Sequence, residues 1–332
     1  NMDLIRWALT FWKRSGKATM ERNIPHLNNI LQLSRELTSE IRNELGNQFR
    51  MEEKGCLMLY KSSLTEKHEI ELAKEAAALN IDTKVFSAKE IQAMEPEVEV
   101  NVRGGVLYPI DAHLHPGDLM QTLHEHLQQS GVQFQLETTI TGFEKQGRKV
   151  TKVLTDKGDF TGDEIILATG SWLPATSRDL GIDLLLQAGK GYSMTFDAVE
   201  KNLHYPAILV DDRVAMTPMG ADLRMGGTME ISGIGSPMLM KRVQSIFKAA
   251  KNYYPNLPVE FPAQDKIWYG LRPLSPDGLP YIGRHSTYDN IVMAGGHAML
   301  GLSLAAATGK LVEEIVGGLE TSIDISAFNV ER

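Results

Sequence analysis

Residues 290–318 read NIVMAGGHAMLGLSLAAATGKLVEEIVGG, and the interpretation of this stretch decides the fold. Ile291, Val292, Met293 and Ala294 form a continuous apolar run, as expected of a strand buried on both faces. Gly295 and Gly296 break the run with a turn that is cheap only for residues lacking a Cβ. From Gly301 onward Leu302, Ala305, Ala306, Gly309, Val312, Ile315 and Val316 recur at helical spacing. A buried strand, a glycine turn and a helix start gather free backbone N–H groups and a positive dipole end in one place, a setting suited to an anion or an electron-rich carbonyl. An ordinary β-to-α turn in an α/β core has the same pattern, so the stretch is weighed with the rest of the chain.

The 332 residues are enough for two domains with real cores or one large α/β unit. A net charge of −8 leaves no general basic surface, which argues against a nucleic-acid partner. Cys56 is the only cysteine, so intramolecular disulfides and cysteine metal sites are excluded, and a reducing, cytoplasmic compartment fits. The histidines lack HExxH or HxxxH spacing, and no metal site is expected. No apolar run reaches the roughly 18 residues of a membrane span. Residues 4–17 mix Leu4, Ile5, Trp7, Leu9, Phe11 and Trp12 with Arg6, Lys13, Arg14 and Lys17. That segment either packs on the body of the protein or lies on the inner face of a membrane as a peripheral contact.

In chain order, residues 26–46 predict a long helix closed by Gly46, residues 55–60 a strand, and residues 66–80 a second helix. Ser87 and Glu90 have capping-box spacing, and residues 102–108 predict a strand with Gly104-Gly105 at a close approach. Residues 116–130 predict a helix with Leu119, Met120, Leu123 and Leu127 inward. Val132, Phe134 and Leu136 alternate as a strand, and residues 149–155 and 159–163 suggest a hairpin about Asp156-Lys157-Gly158. Ile165 to Ala168 predict another buried strand, ending in Thr169-Gly170-Ser171-Trp172. From Gly189 to Gly270 the texture becomes antiparallel: Tyr192, Met194 and Phe196 alternate, a hairpin turns at Asp211-Asp212, residues 223–230 and 266–272 read as strands, and Pro237 starts a helix carrying Met240, Val243, Ile246 and Phe247.

Three blocks together resemble the D-amino acid oxidase-like superfamily of flavoproteins: IILATGSW at 165–172, GLRPLSPDGLPYIG at 270–283 and GGHAMLGLS at 295–303. The members most similar in pattern are D-amino acid dehydrogenases, glycine oxidases and sarcosine oxidases, and RMGGTMEISG at 224–233 is similar to a sheet strand of the dehydrogenase branch. The resemblance implies an α/β fold: a glutathione-reductase-like FAD-binding domain with a mainly antiparallel substrate domain. It implies a helical segment at 1–46, a substrate domain at 47–110 and 181–270, and an FAD domain at 111–180 and 271–332. The family's opening strand–GxGxxG–helix unit, which holds the FAD pyrophosphate, has no counterpart from Asn1 onward, so an N-terminally incomplete cofactor domain is expected.

The resemblance also implies FAD as cofactor, a small amino acid as substrate, a quinone or another electron acceptor, and oxidative deamination to a 2-oxo acid and ammonia. Arg272 falls at the family's carboxylate-binding position, with Tyr192, Tyr269 and Trp268 as candidates for the pocket wall or for plain sheet core. Gly296, His297, Ala298, Met299, Leu300, Gly301, Leu302 and Ser303 would cover the flavin ring, Ala168, Thr169, Gly170 and Trp172 would pass close to it, and the backbone of Ile140 would meet the adenine. His297 has two readings, a ring contact or a core histidine. Glycine oxidases carry an arginine at the position of Met299, which favours a dehydrogenase or imino-acid specificity. Two other readings stand beside the dehydrogenase: a truncated or non-catalytic relative without tight FAD binding, and a sarcosine- or proline-type secondary-amine oxidase.

Overall fold

The computed structural model describes residues 2–332. Two helices open the chain, α1 (Met2–Arg14) and α2 (Lys17–Glu44). There follow β1 (Cys56–Tyr60), α3 (Ser63–Ala78), β2 (Lys84–Ser87), α4 (Ala88–Met94), β3 (Gly104–Tyr108) and α5 (Pro116–Gln129). The middle holds β4 (Ile140–Gln146), β5 (Lys149–Thr155), β6 (Ile165–Leu167), α6 (Leu173–Arg178), β7 (Gln187–Phe196), β8 (Ala207–Leu209), β9 (Val214–Met219), β10 (Asp222–Glu230) and α7 (Met240–Tyr253). The chain ends with β11 (Ile267–Leu274), β12 (Tyr281–Arg284), β13 (Ile291–Gly295) and α8 (Ala305–Gly317).

Eight strands build one large sheet in the order β11-β7-β10-β9-β8-β1-β3-β2, antiparallel except where β1 meets β8. One face packs on α7: Tyr192, Met194, Met216, Leu223 and Met225 meet Val243, Ile246 and Ala250 in a single core. The burial of Tyr192 and Met194 follows from their alternation along β7, since successive side chains of a strand point to opposite faces. A smaller sheet, β12-β13-β6, carries α8 and α2 on one side. All five residues of β13 are buried, and it pairs antiparallel with β12 and parallel with β6, as its unbroken apolar run requires. The left-handed Gly318 caps α8, its N–H donating to Glu314 and Ile315 carbonyls.

Several expectations are corrected. The second helix starts at Lys17, and Pro25 is accommodated inside it. In α5, Leu119 is buried, but Met120 and Leu127 point outward. Residues 132–136 form no strand, because no neighbouring segment among the described residues offers them a ladder. The main partner of β5 is β4, joined through the turn at Gly147-Arg148, and only Val153 bridges to Phe160 on the other side. Ile166 and Ala168 are exposed beside the buried Leu167, so β6 is covered on one face only. Pro237 precedes α7 by a short loop and is not helical. The strand β11 runs unbroken through residue 270, so Arg272 belongs to the large sheet.

The helix α1 packs on the body through Trp7, whose Nε1 donates to the Leu274 carbonyl at 2.8 Å and whose ring stacks on Phe11. No helix among the described residues is long and apolar enough to cross a membrane.

The β4–β5 ribbon is tied to the segment before β13 by Asp289, which pairs with Arg148, and by Asn290. Buried Asn290 accepts from Val150 N–H at 3.0 Å and donates to the Val150 carbonyl at 2.8 Å. Asn290→Ala leaves both buried backbone groups unpaired and is expected to lower stability by about 2–4 kcal/mol, read as a shift in the urea midpoint. An unshifted midpoint would show that solvent reaches Val150.

Candidate functional site

The site is built on the face of the large sheet opposite α7, at β7, β10 and β11. On β7, Gly189, Gly191 and Ser193 alternate with the core residues Lys190, Tyr192 and Met194, so they lie on this other face. Their β11 partners are Arg272, Gly270 and Trp268 in that order. The two glycines open a shallow floor. A Cβ on Gly191 would come within 1.8 Å of Arg272 Nη1, and one on Gly270 within 2.2 Å of the Trp268 ring. The guanidinium and the indole therefore lie flat on the backbone of the strands, where only glycine admits them.

Arg272 is aimed by a bulge. The β7–β10 register slips between Gly227 and Glu230, and Thr228 takes a positive φ of 63° there. The slip turns the Thr228 carbonyl to accept from Arg272 Nη1 at 2.9 Å. Among the described residues the Arg272 head has no other hydrogen-bond partner and no carboxylate, which leaves N–H groups of its fork free for a ligand.

A second guanidinium shares the face. Arg224, on β10, donates from Nη2 to Ser193 Oγ at 3.2 Å and lies 5.6 Å from the centre of the Trp268 ring. Arg224 likewise has no carboxylate partner among the described residues. Burial lowers its pKa, and burial followed by the charge of Arg224 lowers that of Arg272, though both stay cationic at neutral pH.

Tyr192 and Tyr269 do not share this face. The Tyr192 hydroxyl donates to Glu230 Oε2 at 2.8 Å and accepts from Leu239 N–H, and its ring is part of the core under α7. Tyr269 pairs with Tyr192 across the strands, and Lys190 Nζ lies 5.1 Å from its ring centre. Buried Lys190 is held by Ser236 and the Pro237 carbonyl, so that side anchors the loop before α7. Strand parity removes both tyrosines from the group around Arg272, whereas Trp268 stays in it.

The capping loop comes to this face from the small sheet. His297 forms a bridge with Leu274 at the end of β11, and the turns at Gly170–Trp172 and Ala298–Leu300 both pack on β11. Thus Thr169, Gly170, Trp172 and residues 296–303 are brought together against β11, the strand that carries Arg272. Ile140 is not: it is exposed at the start of β4, at the ribbon end away from the Asn290 tie. Ala168 is exposed on the outer side of its strand.

The loop has the character of a cradle. The N–H groups of Leu302 and Ser303 donate to no protein acceptor among the described residues, while Gly301 closes the short 3-10 turn of Ala298–Leu300. Trp172, Met299 and Leu302 are exposed apolar side chains around them. Thr169 Oγ1 and Ser171 Oγ are buried without a partner, and Gly170, at φ 55°, has open space where a Cβ would be. Free donors, orphaned hydroxyls and an apolar rim suit a planar aromatic cofactor with polar edges. His297 Nε2 lies 2.9 Å from Thr308 Oγ1, and burial pushes its pKa down to about 4, so the ring is neutral at pH 7. No cluster able to hold a metal ion is found among the described residues.

The loop and its orphaned hydroxyls come from one sheet and the unpaired guanidinium from the other, and the strand β11 links them. A family model described as DAO, FAD dependent oxidoreductase, matches residues 11–315, and the chain belongs to that family. It is 28% identical to a D-amino acid dehydrogenase of Granulibacter bethesdensis, over 98% of this chain and 79% of that protein. Its structure is similar to that of a glycine oxidase from Geobacillus kaustophilus, with TM-score 0.84, 22% identity, and 92% of this chain and 82% of the other covered. It is similar also to that of an L-proline dehydrogenase from P. horikoshii, with TM-score 0.80, 18% identity, and 91% and 82% covered. The fold is that of the family, and FAD is its cofactor. The orphaned Thr169 and Ser171 hydroxyls and the free N–H groups of 302 and 303 fit that group.

Sequence reasoning missed Arg224 as a site residue and missed the glycine floor. The signal was present: Gly189 and Gly191 stand two apart on one face of a strand whose other face carries Lys190, Tyr192 and Met194, and Arg224 has the parity of the face they open.

The neutral His297 gives a pH signature. Its folded pKa lies below its ordinary value of 6.5, so the unfolded chain takes up a proton that the folded chain refuses. Stability is therefore lost as pH falls from about 6.5 to about 4, by up to about 1.4 kcal/mol per pH unit from this group. In thermal melts without added FAD, His297→Gln should flatten the profile in that window. An identical slope in the variant would place the titration elsewhere.

Proposed function

We propose that the chain oxidises a small amino acid of the D series, and that Arg272 holds its α-carboxylate. The single observation that carries this reading is a half-buried guanidinium with no carboxylate partner, fixed by the Thr228 carbonyl next to the capping loop. FAD, when bound, accepts the hydride that leaves Cα. Arg272 fixes the acid end by a charge-assisted, fork-shaped contact, which sets where Cα–H points. Trp268 and the apolar rim of Trp172, Met299 and Leu302 exclude water from the reacting carbon. The N–H groups at 302 and 303, in the turn just before α8, offer donors to negative charge that develops near them. The amine nitrogen gives up a proton to water as the hydride departs, and another water then hydrolyses the imine to a 2-oxo acid and ammonia. Residues 169–172 and 296–303 would hold the cofactor, with Ala168 and Ile140 apart from them.

In this reading the substrate unit comprises residues 47–110 with 181–274, and the cofactor unit 111–180 with 275–332. The exposed stripe of Met2, Ile5, Leu9 and Trp12 on α1 would meet a membrane surface that supplies a quinone acceptor. Met299 leaves no second arginine in the capping loop, which supports a dehydrogenase over a glycine oxidase.

Two substitutions test the placement. Arg272→Ala in the FAD-loaded chain should raise KM for D-alanine by a factor corresponding to about 2–3 kcal/mol, with a smaller effect on kcat. Near-normal kcat/KM would remove Arg272 from the site. Gly301→Val meets little within the protein, since its Cβ would lie 3.8 Å from the nearest side-chain atom. Folding should survive while FAD retention, followed by flavin absorbance, drops; full occupancy would contradict the position of the cofactor.

A further inference from the structure

Arg224 is not accounted for by the reaction above. Its head is half-buried, laid against Trp268 and bonded to Ser193 Oγ, and no carboxylate answers its charge among the described residues. The Arg272 head lies over Gly191, and the Arg224 head reaches Ser193, two residues further along the same face of β7. Two residues of strand rise set the heads about 7 Å apart. The acids of β10 are committed elsewhere. Asp222 accepts from Ala198 N–H at the far end of the strand, and Glu230, beyond the bulge, faces Tyr192 and Arg242.

Two like charges held side by side in partial shelter from water are a standing cost to the fold. A monocarboxylate neutralises one of them. A ligand with two anionic groups neutralises both, and the span suits carboxylates separated by two or three carbon atoms. The Ser193 bond and the indole contact hold Arg224 in place and leave the rest of its fork open. These contacts would select the second acid group by geometry as well as by charge.

We infer that the site is built for a dicarboxylic amino acid of the aspartate or glutamate type, its α-carboxylate on Arg272 and its side-chain carboxylate on Arg224. This rests on the reading of Arg272 as the α-carboxylate ligand. It makes Arg224 the specificity-determining residue and Trp268 the surface that holds it in position.

The test is binding, which separates the two readings. Glutarate and butyrate share a carbon chain of similar length and differ in the second carboxylate. Calorimetric titration of the FAD-saturated chain should show glutarate binding at least tenfold tighter than butyrate. Arg224→Met should abolish that advantage and leave butyrate affinity unchanged, whereas Arg272→Met should weaken both ligands. Arg224→Lys, which keeps the charge without the fork, should retain part of the preference and controls for folding. Equal affinities in the unmodified chain would overturn the inference while leaving Arg272 in place. So would an Arg224→Met variant that weakens both ligands alike, because Arg224 would then share the α-carboxylate. If neither acid binds and Arg272→Met has no effect, the reading of Arg272 falls, and the inference with it.

Discussion

The contact on which the site depends is a single backbone bridge, Leu274 to His297. Leu274 ends the strand that carries Arg272, and His297 opens the loop that would face the cofactor. The bridge joins the large sheet to the small sheet, and so fixes the gap between Arg272 and the capping loop. Leu274 is held from other sides too. Trp7 donates to its carbonyl from α1, and its side chain fills the space left by the missing Cβ of Gly189. The bond from His297 to Thr308 ties the loop to the first turns of α8. Placement to within fractions of an ångström needs this kind of redundant support, because transfer from carbon depends steeply on approach.

The glycines have a second role beyond their freedom of φ. Gly191 and Gly270 have ordinary extended backbones, and what they provide is empty space above the sheet. An arginine and a tryptophan that would otherwise stand up from the strands lie flat there instead. The cost is two positive charges in partial shelter, which burial and mutual repulsion both disfavour. Such a cost, with no acid among the described residues to offset it, is what a site for an anionic ligand would carry.

Much of the fold was legible from the residues. The unbroken apolar run of 291–294 gave a strand buried on both faces, and the change to helical spacing with Gly318 at the end gave α8 and its cap. Ser87 and Glu90 formed the expected capping box. What failed were elements defined by their neighbours. Val132, Phe134 and Leu136 alternate as a strand should, yet alternation supplies no ladder partner. Met120, Leu127 and Ile166 are apolar but face outward, since composition does not show which face is covered. For the site, the family resemblance carried by three sequence blocks led to Arg272 and to the loop at 296–303. Strand parity decided the remainder: Tyr192 and Tyr269 fell on the face of α7, and Arg224 came in because it shares the face of Gly189 and Gly191.

A crystal structure of the chain loaded with FAD and soaked with a non-reacting carboxylate would address the central claim most directly. The account predicts an isoalloxazine ring against residues 297–303 and a ligand carboxylate within hydrogen-bond distance of Arg272, on the face of β7 that carries Gly191. A ring seated elsewhere, or a carboxylate bound away from that face, would contradict it.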